Sequence, residues 1–341
     1  MNPELSILIV SYNSRADLAR CLPTIYAQNY RSYEIILVDN HGHDGVAEFV
    51  TNYYPTIQLI SNPANTGYAG GNNLGLRQVK TPWLLLLNPD TELRPGCLAM
   101  LMETAHTYPD ALITPKLLNP DGLTINTCGN QMHYTGITTC RGLNEPSEAY
   151  HGLQSVSLLS GAAFVAPTEA LRRLGGFDET YFMYFEDTDL SLRARLLGYS
   201  LFCQADAEIV HHYTLNMNAG KFYYLERNRL LTLGKVLSQK TLISLLPALF
   251  LTELATWAYA LRGWAFLRAR WRGYGWLWTH RKPIRQARQT IQATRQLDDR
   301  ALLRASQTTL PVTQVATGSV GKMVGQISEW LFGVLRPQVL R

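Results

Sequence analysis

The chain has 341 residues, 46% of them hydrophobic and 17% charged, with a net charge of +5; this suits a globular protein of one large domain or two ordinary ones. Its five cysteines (Cys21, Cys97, Cys128, Cys140, Cys203) are scattered with no CxxC spacing, which excludes a disulfide framework and a zinc site and fits a reducing compartment. The opening MNPELSILIV lacks the basic start of a signal peptide, and its apolar run fits a strand.

The first hundred residues alternate between strand and helix signals. SILIVSY (6–12) reads as a strand and 15–29 as a helix capped by Asn13 or Ser14. EIILVDN (34–40) is the next strand, 44–53 a short helix, and IQLISN (57–62) a third strand. Residues 68–79 have helical spacing, and WLLLL (83–87) is a fourth strand. Strands that are apolar throughout and alternate with helices predict an α/β fold, a parallel sheet with helices on both faces. Such folds bind ligands at the carboxyl ends of their strands. Here those ends are polar: Ser11-Tyr12-Asn13, Asp39-Asn40, Ser61-Asn62 and Asn88-Pro89-Asp90. The segment after the third strand, NTGYAGGNNLG (65–75), has glycines entering a helix, where free N–H groups can hold phosphate. Its spacing is neither a dinucleotide fingerprint nor a Walker A loop, and a plain helix start with small residues is an equal reading.

SGAAFVAP (160–167) reads as another buried strand, followed by GGFDETYFMYFEDTDLSLRARLLGYS (175–200). There Glu186, Asp187 and Asp189 follow a block of aromatics and precede a helix. Carboxylates at a helix start complement its dipole, which is one reading. The other is a general base, since an aromatic wall desolvates a carboxylate and raises its proton affinity. Downstream, His211 and His212 are adjacent. On an extended chain they point in opposite directions, so at most one serves as a metal ligand with Asp90.

SILIVSYN, ILVDN, NTGYAGGNNLG, LLLLNPDTEL and GGFDETYFMYFEDTDLSLR, in that order, resemble the inverting glycosyltransferases of family 2, closest to bacterial rhamnosyltransferase-like members. The resemblance covers roughly residues 5–235. It implies a GT-A fold, Rossmann-like and mostly parallel, and transfer of a sugar such as rhamnose from a UDP- or dTDP-sugar to a hydroxyl of a glycan or polyprenyl-linked glycan, in cell-surface polysaccharide synthesis. It also assigns roles. Ser11, Tyr12, Asn13 and Asp39 would bind the pyrimidine base, and Asn65, Gly67, Gly71 and Asn72 would lie along the ribose and diphosphate. Asp90 would be the last acid of the family's DxD motif and hold Mg²⁺ or Mn²⁺, with His211 on the metal side. Asp187 would be the catalytic base, with Glu186 its neighbour. Asn88 stands where the family's first DxD acid stands, which removes a charge from the metal site but leaves a carbonyl oxygen able to ligate the ion or bond the donor. A nucleotidyltransferase would want a Gly-rich basic loop after the first strand, and SYNSRADL is not one. A catalytically silent binding module would not need to keep Asp90, Asp187 and the histidine together.

These readings divide the chain into a transferase domain (1–237), an aromatic and basic helical region (238–300) and a tail (301–341) with a short helix near 323–335. No acidic residue falls between Glu253 and Asp298, while arginines and Trp257, Trp264, Trp271, Trp276 and Trp278 interleave there. That pattern suits helices lying in a headgroup layer, hence a peripheral place on the inner face of the cell membrane. Pro247 and Glu253 argue against residues 241–261 as a simple span. A helical lid or dimer interface is the other reading, and nucleic acid is the weaker partner for so apolar a stretch.

Overall fold

The computed structural model describes residues 2–213 and 216–308, together with 326, 329, 330, 333 and 334. In chain order the first elements are β1 (Leu5–Ser11), α1 (Arg15–Tyr26), β2 (Tyr33–Asp39), α2 (Val46–Tyr53), β3 (Gln58–Ser61), α3 (Gly67–Leu76) and β4 (Trp83–Leu87). Then come β5 (Thr91–Leu93), α4 (Cys97–Thr107), β6 (Ala111–Leu118), β7 (Ile125–Thr127), β8 (Asn130–Met132), β9 (Thr138–Cys140), β10 (Leu153–Ser155), β11 (Ala163–Pro167) and α5 (Thr168–Arg173). The chain closes with α6 (Glu186–Leu196), β12 (Ser200–His211), α7 (Ala219–Val236), α8 (Gln239–Ser244), α9 (Leu246–Ala260), α10 (Trp264–Thr279), α11 (Arg281–Thr294) and α12 (Asp299–Leu303).

The main sheet has the order β10-β12-β6-β11-β4-β1-β2-β3, with β5 added to β12 and β7 to β6. β1 is central and pairs in parallel with both β2 and β4, as β2 does with β3. β4 is buried at every position and β1 at nearly every one, which is why their sequences are aliphatic throughout instead of alternating. The far half is mixed: β11 runs antiparallel to β4 and β6, while β12 runs parallel to β6. The chain winds from β1 out to β3 and then crosses to β4 on the other side of β1. This reversal opens a crevice at the carboxyl ends of β1 and β4, the switch point where doubly wound sheets take their ligands.

Two expected boundaries moved for local reasons. The strand read at 160–167 begins at Ala163, because residues 160–162 form the loop at the end of β4, where the Asn88 N–H donates to the Ala162 carbonyl at 2.8 Å. The apolar stretch 241–261 breaks at Leu245 into α8 and α9, with Pro247 in the first turn of α9, where proline is tolerated. Among the described residues no helix is long and apolar enough to cross a membrane.

The chain forms two compact units. The first holds residues 1–130, 140–191 and 199–214, thus all ten strands of the main sheet; the second holds 131–139, 192–198 and the chain from 215 on. The expected boundary at 237 lies inside the second unit. The short helix expected at 323–335 falls mostly outside the described residues; Gln326, Glu329, Trp330, Gly333 and Val334 are helical.

Candidate active site

The site is built at the carboxyl edge of the sheet in the first unit. β4 ends at Leu87, and Asn88-Pro89-Asp90 turns the chain into β5, whose Thr91 lies opposite His211 at the end of β12. Thr91 Oγ1 donates to the Asn88 carbonyl at 2.6 Å and fixes the turn. The His212 N–H donates to the Asp90 carbonyl at 2.8 Å. The two histidines then diverge as strand geometry requires. His212 Nε2 lies 2.6 Å from Glu92 Oε1, whereas His211 Nε2 faces Asp90 Oδ1 at 3.4 Å.

Asp90 Oδ1 and His211 Nε2 are both buried, and neither has a well-formed hydrogen bond among the described residues. Two unsatisfied donor atoms facing each other at that distance fit a divalent cation held from one side. No group of three or more His, Cys, Asp or Glu side chains among the described residues could hold a metal alone. A hard cation here therefore needs its other oxygens from a ligand, as Mg²⁺ commonly takes them from phosphates. Burial alone would raise the Asp90 carboxyl's pKa. The His211 ring opposite it, the Asp90 backbone N–H and His212 together outweigh burial and hold Asp90 below the usual aspartate value, thus as an anion.

The second group of acids reaches the same edge through the loop before β11. The Gly161 N–H donates to Asp187 Oδ2 at 2.9 Å, and the Thr188 N–H to Asp187 Oδ1 at 2.6 Å. A Cβ on Gly161 would lie 3.2 Å from Asp187 Oδ2, so the glycine permits this close approach. The Tyr68 hydroxyl donates to the Gly161 carbonyl and holds the loop from α3. Burial raises the Asp187 pKa above the ordinary aspartate value, although the Gly161 and Thr188 N–H groups pull against it. Glu186 is 6% exposed, and its Oε2 finds no partner among the described residues. Burial, then the adjacent Asp187 charge, pushes its pKa well above the usual range. Tyr68 is kept protonated first by burial and then by the negative charges of Glu186, Asp187 and Asp90.

The aromatics ahead of these acids form a strained turn. Phe182, Tyr184 and Phe185 have φ of 65°, 64° and 71°, the left-handed region that bulky residues rarely occupy. Such strain persists where the surroundings over-determine it, and it collects at functional sites. Here the Ala69 N–H donates to the Phe182 carbonyl at 3.3 Å, and Gly67 packs so close that a Cβ would lie 2.2 Å from that oxygen.

The expected base-binding residues line the ends of β1 and β2. The Gly42 N–H donates to Asp39 Oδ1 at 2.8 Å, and the His43 N–H to Asn13 Oδ1 at 2.7 Å, with Asn13 at a φ of 53°. Tyr12 is 48% exposed, while Ser11 is fully buried. The glycine segment is largely occupied by packing. Asn65 Oδ1 accepts from the Gly67 N–H, Asn72 is buried and donates to the Tyr68 carbonyl, and Gly71 faces Val10 of β1. The sequence reading missed Gly161, Tyr68 and Tyr213, whose ring stacks on His211 at 5.4 Å. The SGA before β11 and the tyrosine within the glycine segment were the available signals.

A doubly wound sheet with a carboxylate turn at its switch point and a second buried acid pair at the same edge is the frame of a nucleotide-sugar transferase. A model of the family described as Glycosyl transferase family 2 matches residues 6–179, and the chain belongs to that family. It is 28% identical over 237 residues, 62% of this chain and 77% of the other, to an N-acetylglucosaminyl-diphospho-decaprenol L-rhamnosyltransferase of Mycobacterium tuberculosis. It is similar in structure to S. aureus TarS 1-349 solved with UDP, with a TM-score of 0.57 at 13% identity, covering 99% of this chain and 92% of that one. It is also similar to GalNAc-T7 solved with UDP, GalNAc and Mn²⁺, with a TM-score of 0.55 at 16% identity, covering 67% of this chain and 48% of that one. The protein is thus a glycosyltransferase with a GT-A fold.

Proposed function

We propose that this glycosyltransferase moves a sugar, rhamnose or one like it, from a UDP- or dTDP-linked donor to a hydroxyl of a lipid-linked glycan, with inversion at the anomeric carbon. The observation that carries the reading is the pairing of two different carboxylate environments on one sheet edge: Asp90 held ionised beside His211, and Asp187 held with raised proton affinity beside Glu186. The first suits charge neutralisation and the second proton abstraction, the separation of roles that acid–base sites require. The mycobacterial relative, an N-acetylglucosaminyl-diphospho-decaprenol L-rhamnosyltransferase, supports the sugar and the lipid-linked acceptor.

In this mechanism Asp39 and the β1 end hold the base of the donor, and Asn88 bonds the donor beside the diphosphate. A divalent cation bound at Asp90 and His211 would supply positive charge to the departing diphosphate; GalNAc-T7, solved with Mn²⁺, supports such an ion. Asp187 takes the proton of the acceptor hydroxyl. The freed oxygen attacks the anomeric carbon from the face opposite the diphosphate, the C1–O bond breaks, and the nucleoside diphosphate leaves. No covalent intermediate forms, so the configuration inverts. General-base assistance of this kind contributes about 10²–10⁴-fold.

The test is thermal shift with UDP, dTDP, GDP and ADP, each with and without Mn²⁺, in the wild type and Asp90→Ala. A ligand at a hundred times its Kd stabilises the native state by about 2.7 kcal/mol. A pyrimidine diphosphate should raise Tm only with metal and lose the effect in Asp90→Ala. A purine preference, or no nucleotide effect in a folded protein, would overturn the reading.

A further inference from the structure

In the second unit, α9 and α10 expose an apolar face that nothing described covers. Trp264, Trp271 and Trp278 recur every seven residues along α10 and are 76%, 66% and 70% exposed. At about 3.6 residues per turn these three fall on one stripe. Ala269, Arg270 and Gly273 lie on the opposite side of the helix and are its buried residues. On α9, Leu246, Phe250 and Leu254 repeat every four residues and are exposed, and Leu261 follows at the helix end. The two stripes meet where the Trp257 and Trp271 rings pack edge to face at 5.3 Å. A soluble monomer rarely exposes a contiguous apolar patch above roughly a few hundred Å² without a partner.

The charges around this face have one sign. Arg262, Arg268, Arg272, Arg281, Lys282 and Arg285 are all exposed. The one acid of α9 and α10, Glu253, is turned inward and paired with Arg229 and Arg270, so it does not offset them at the surface. Arg268 sits about one turn along from Trp264, and the Arg281 guanidinium lies over the Trp278 ring at 4.8 Å, so both border the exposed stripe.

We propose that this face docks on the surface of an anionic lipid bilayer, with the tryptophans and the α9 stripe in the headgroup–acyl boundary and the arginines on acidic headgroups. Tryptophan is the side chain that prefers this boundary, having an apolar body and an N–H that can stay wet. A second copy of the chain would bring arginine against arginine. A single-stranded nucleic acid would use stacking rings and arginines but would leave the leucine and phenylalanine stripe in water. Among the described residues no helix is long and apolar enough to cross the bilayer, so the attachment through this face is lateral and reversible.

The experiment is co-sedimentation of the full chain with vesicles of three parts phosphatidylethanolamine to one part phosphatidylglycerol, and with pure phosphatidylcholine vesicles. The variants are Trp264→Ala/Trp271→Ala/Trp278→Ala and Arg268→Gln/Arg281→Gln. The wild type should bind the anionic vesicles, blue-shift in tryptophan emission, and release as salt is raised. The arginine pair should weaken binding about fivefold per charge removed, and the tryptophan variant by about tenfold or more. These side chains are mostly exposed, so both variants should stay folded, and the arginine pair should keep the wild-type melting curve. Transfer to a water-soluble acceptor should also be unchanged, which separates failure here from failure of the proposed chemistry. Absence of vesicle binding overturns the proposal. So does equal binding to neutral vesicles with no salt effect, a dimer in solution that the tryptophan variant breaks, or a preference for a single-stranded oligonucleotide over the vesicles.

Discussion

Asp187 and Glu186 are adjacent in sequence and held differently in space, which makes their replacements distinguishable. Asp187 keeps some access and two N–H donors, so it can release and regain a proton; its raised pKa places the rising limb of the rate profile above the ordinary aspartate range. Turnover should fall as pH drops through that raised value, because only the ionised carboxylate accepts the acceptor's proton. Asp187→Asn should keep donor binding, lose about 10²–10⁴-fold in kcat and lose that limb; near-normal turnover would remove Asp187 as the base. Glu186 has a raised folded pKa, so the native state binds its proton more tightly than the unfolded chain does. Stability on its account is full below the unfolded value near 4.5 and is lost as pH rises toward the folded value. Glu186→Gln should therefore stabilise the protein at pH 7 by about 1–3 kcal/mol in urea melts while lowering activity; a destabilised, fully active variant would contradict both halves. The acids were legible in the sequence because an acid run after a block of aromatics is unusual. His211 and His212 could not be told apart by sequence, because only side-chain direction gives them different partners, Asp90 for one and Glu92 for the other. Gly161 and Tyr68 were not legible, because one acts through a backbone N–H and the other through a hydroxyl inside a segment read for its glycines.

At the scale of elements, the glycines of α3 carry two separate jobs. A Cβ on Gly75 would lie 2.2 Å from Leu8 Cδ1, and one on Gly71 would lie 2.6 Å from Val10 Cγ1, so these two let the helix lie close on β1. Gly67 has a φ of 71° and meets the backbone of Phe182 instead. Gly75→Ala should thus cost about 1–3 kcal/mol by overpacking and leave kcat nearly unchanged. Gly67→Ala should cost a similar amount in stability, but it pushes on the strained turn that leads into Glu186 and should also lower kcat at least tenfold. Urea melts and initial rates on the two variants separate packing from site alignment; equal kinetic effects would mean that α3 acts as one rigid body. The β1, β2 and β4 strands were readable because burial on both faces gives largely unbroken apolar runs. The strand at β11 was read as well, but its antiparallel direction between β4 and β6 was not, since a buried strand carries the same apolar signature in either direction.

At the scale of the whole molecule, the chain passes between its two compact units more than once, so no single cut separates them. Composition changes most sharply after α7, which is why 237 looked like a boundary; the buried charges of α7 pair it with helices beyond that point. Arg229 is 1% exposed and pairs with Glu226 on its own helix, 3.0 Å away, and with Glu253 of α9. Arg270 of α10, also buried, contacts Glu226 and Glu253, and the Tyr274 hydroxyl donates to Glu253. A chain ended at Leu237 keeps Arg229 and Glu226 but loses Glu253, Arg270 and Tyr274, and it uncovers Phe222, which packs on Tyr259 and Phe266. Removing one partner of a buried ion pair costs about 3–5 kcal/mol, a large share of the roughly 5–15 kcal/mol that holds an ordinary domain. The shortened chain should therefore aggregate or melt well below the full one. In the intact chain, Glu253→Ala should cost about 3–5 kcal/mol. Tryptophan emission is a suitable probe, because every tryptophan except Trp83 lies in the second unit. A soluble 1–237 chain with an unchanged nucleotide response, beside a Glu253→Ala protein of wild-type stability, would mean that α7 is held by its own unit's remaining contacts and that the charge cluster is incidental.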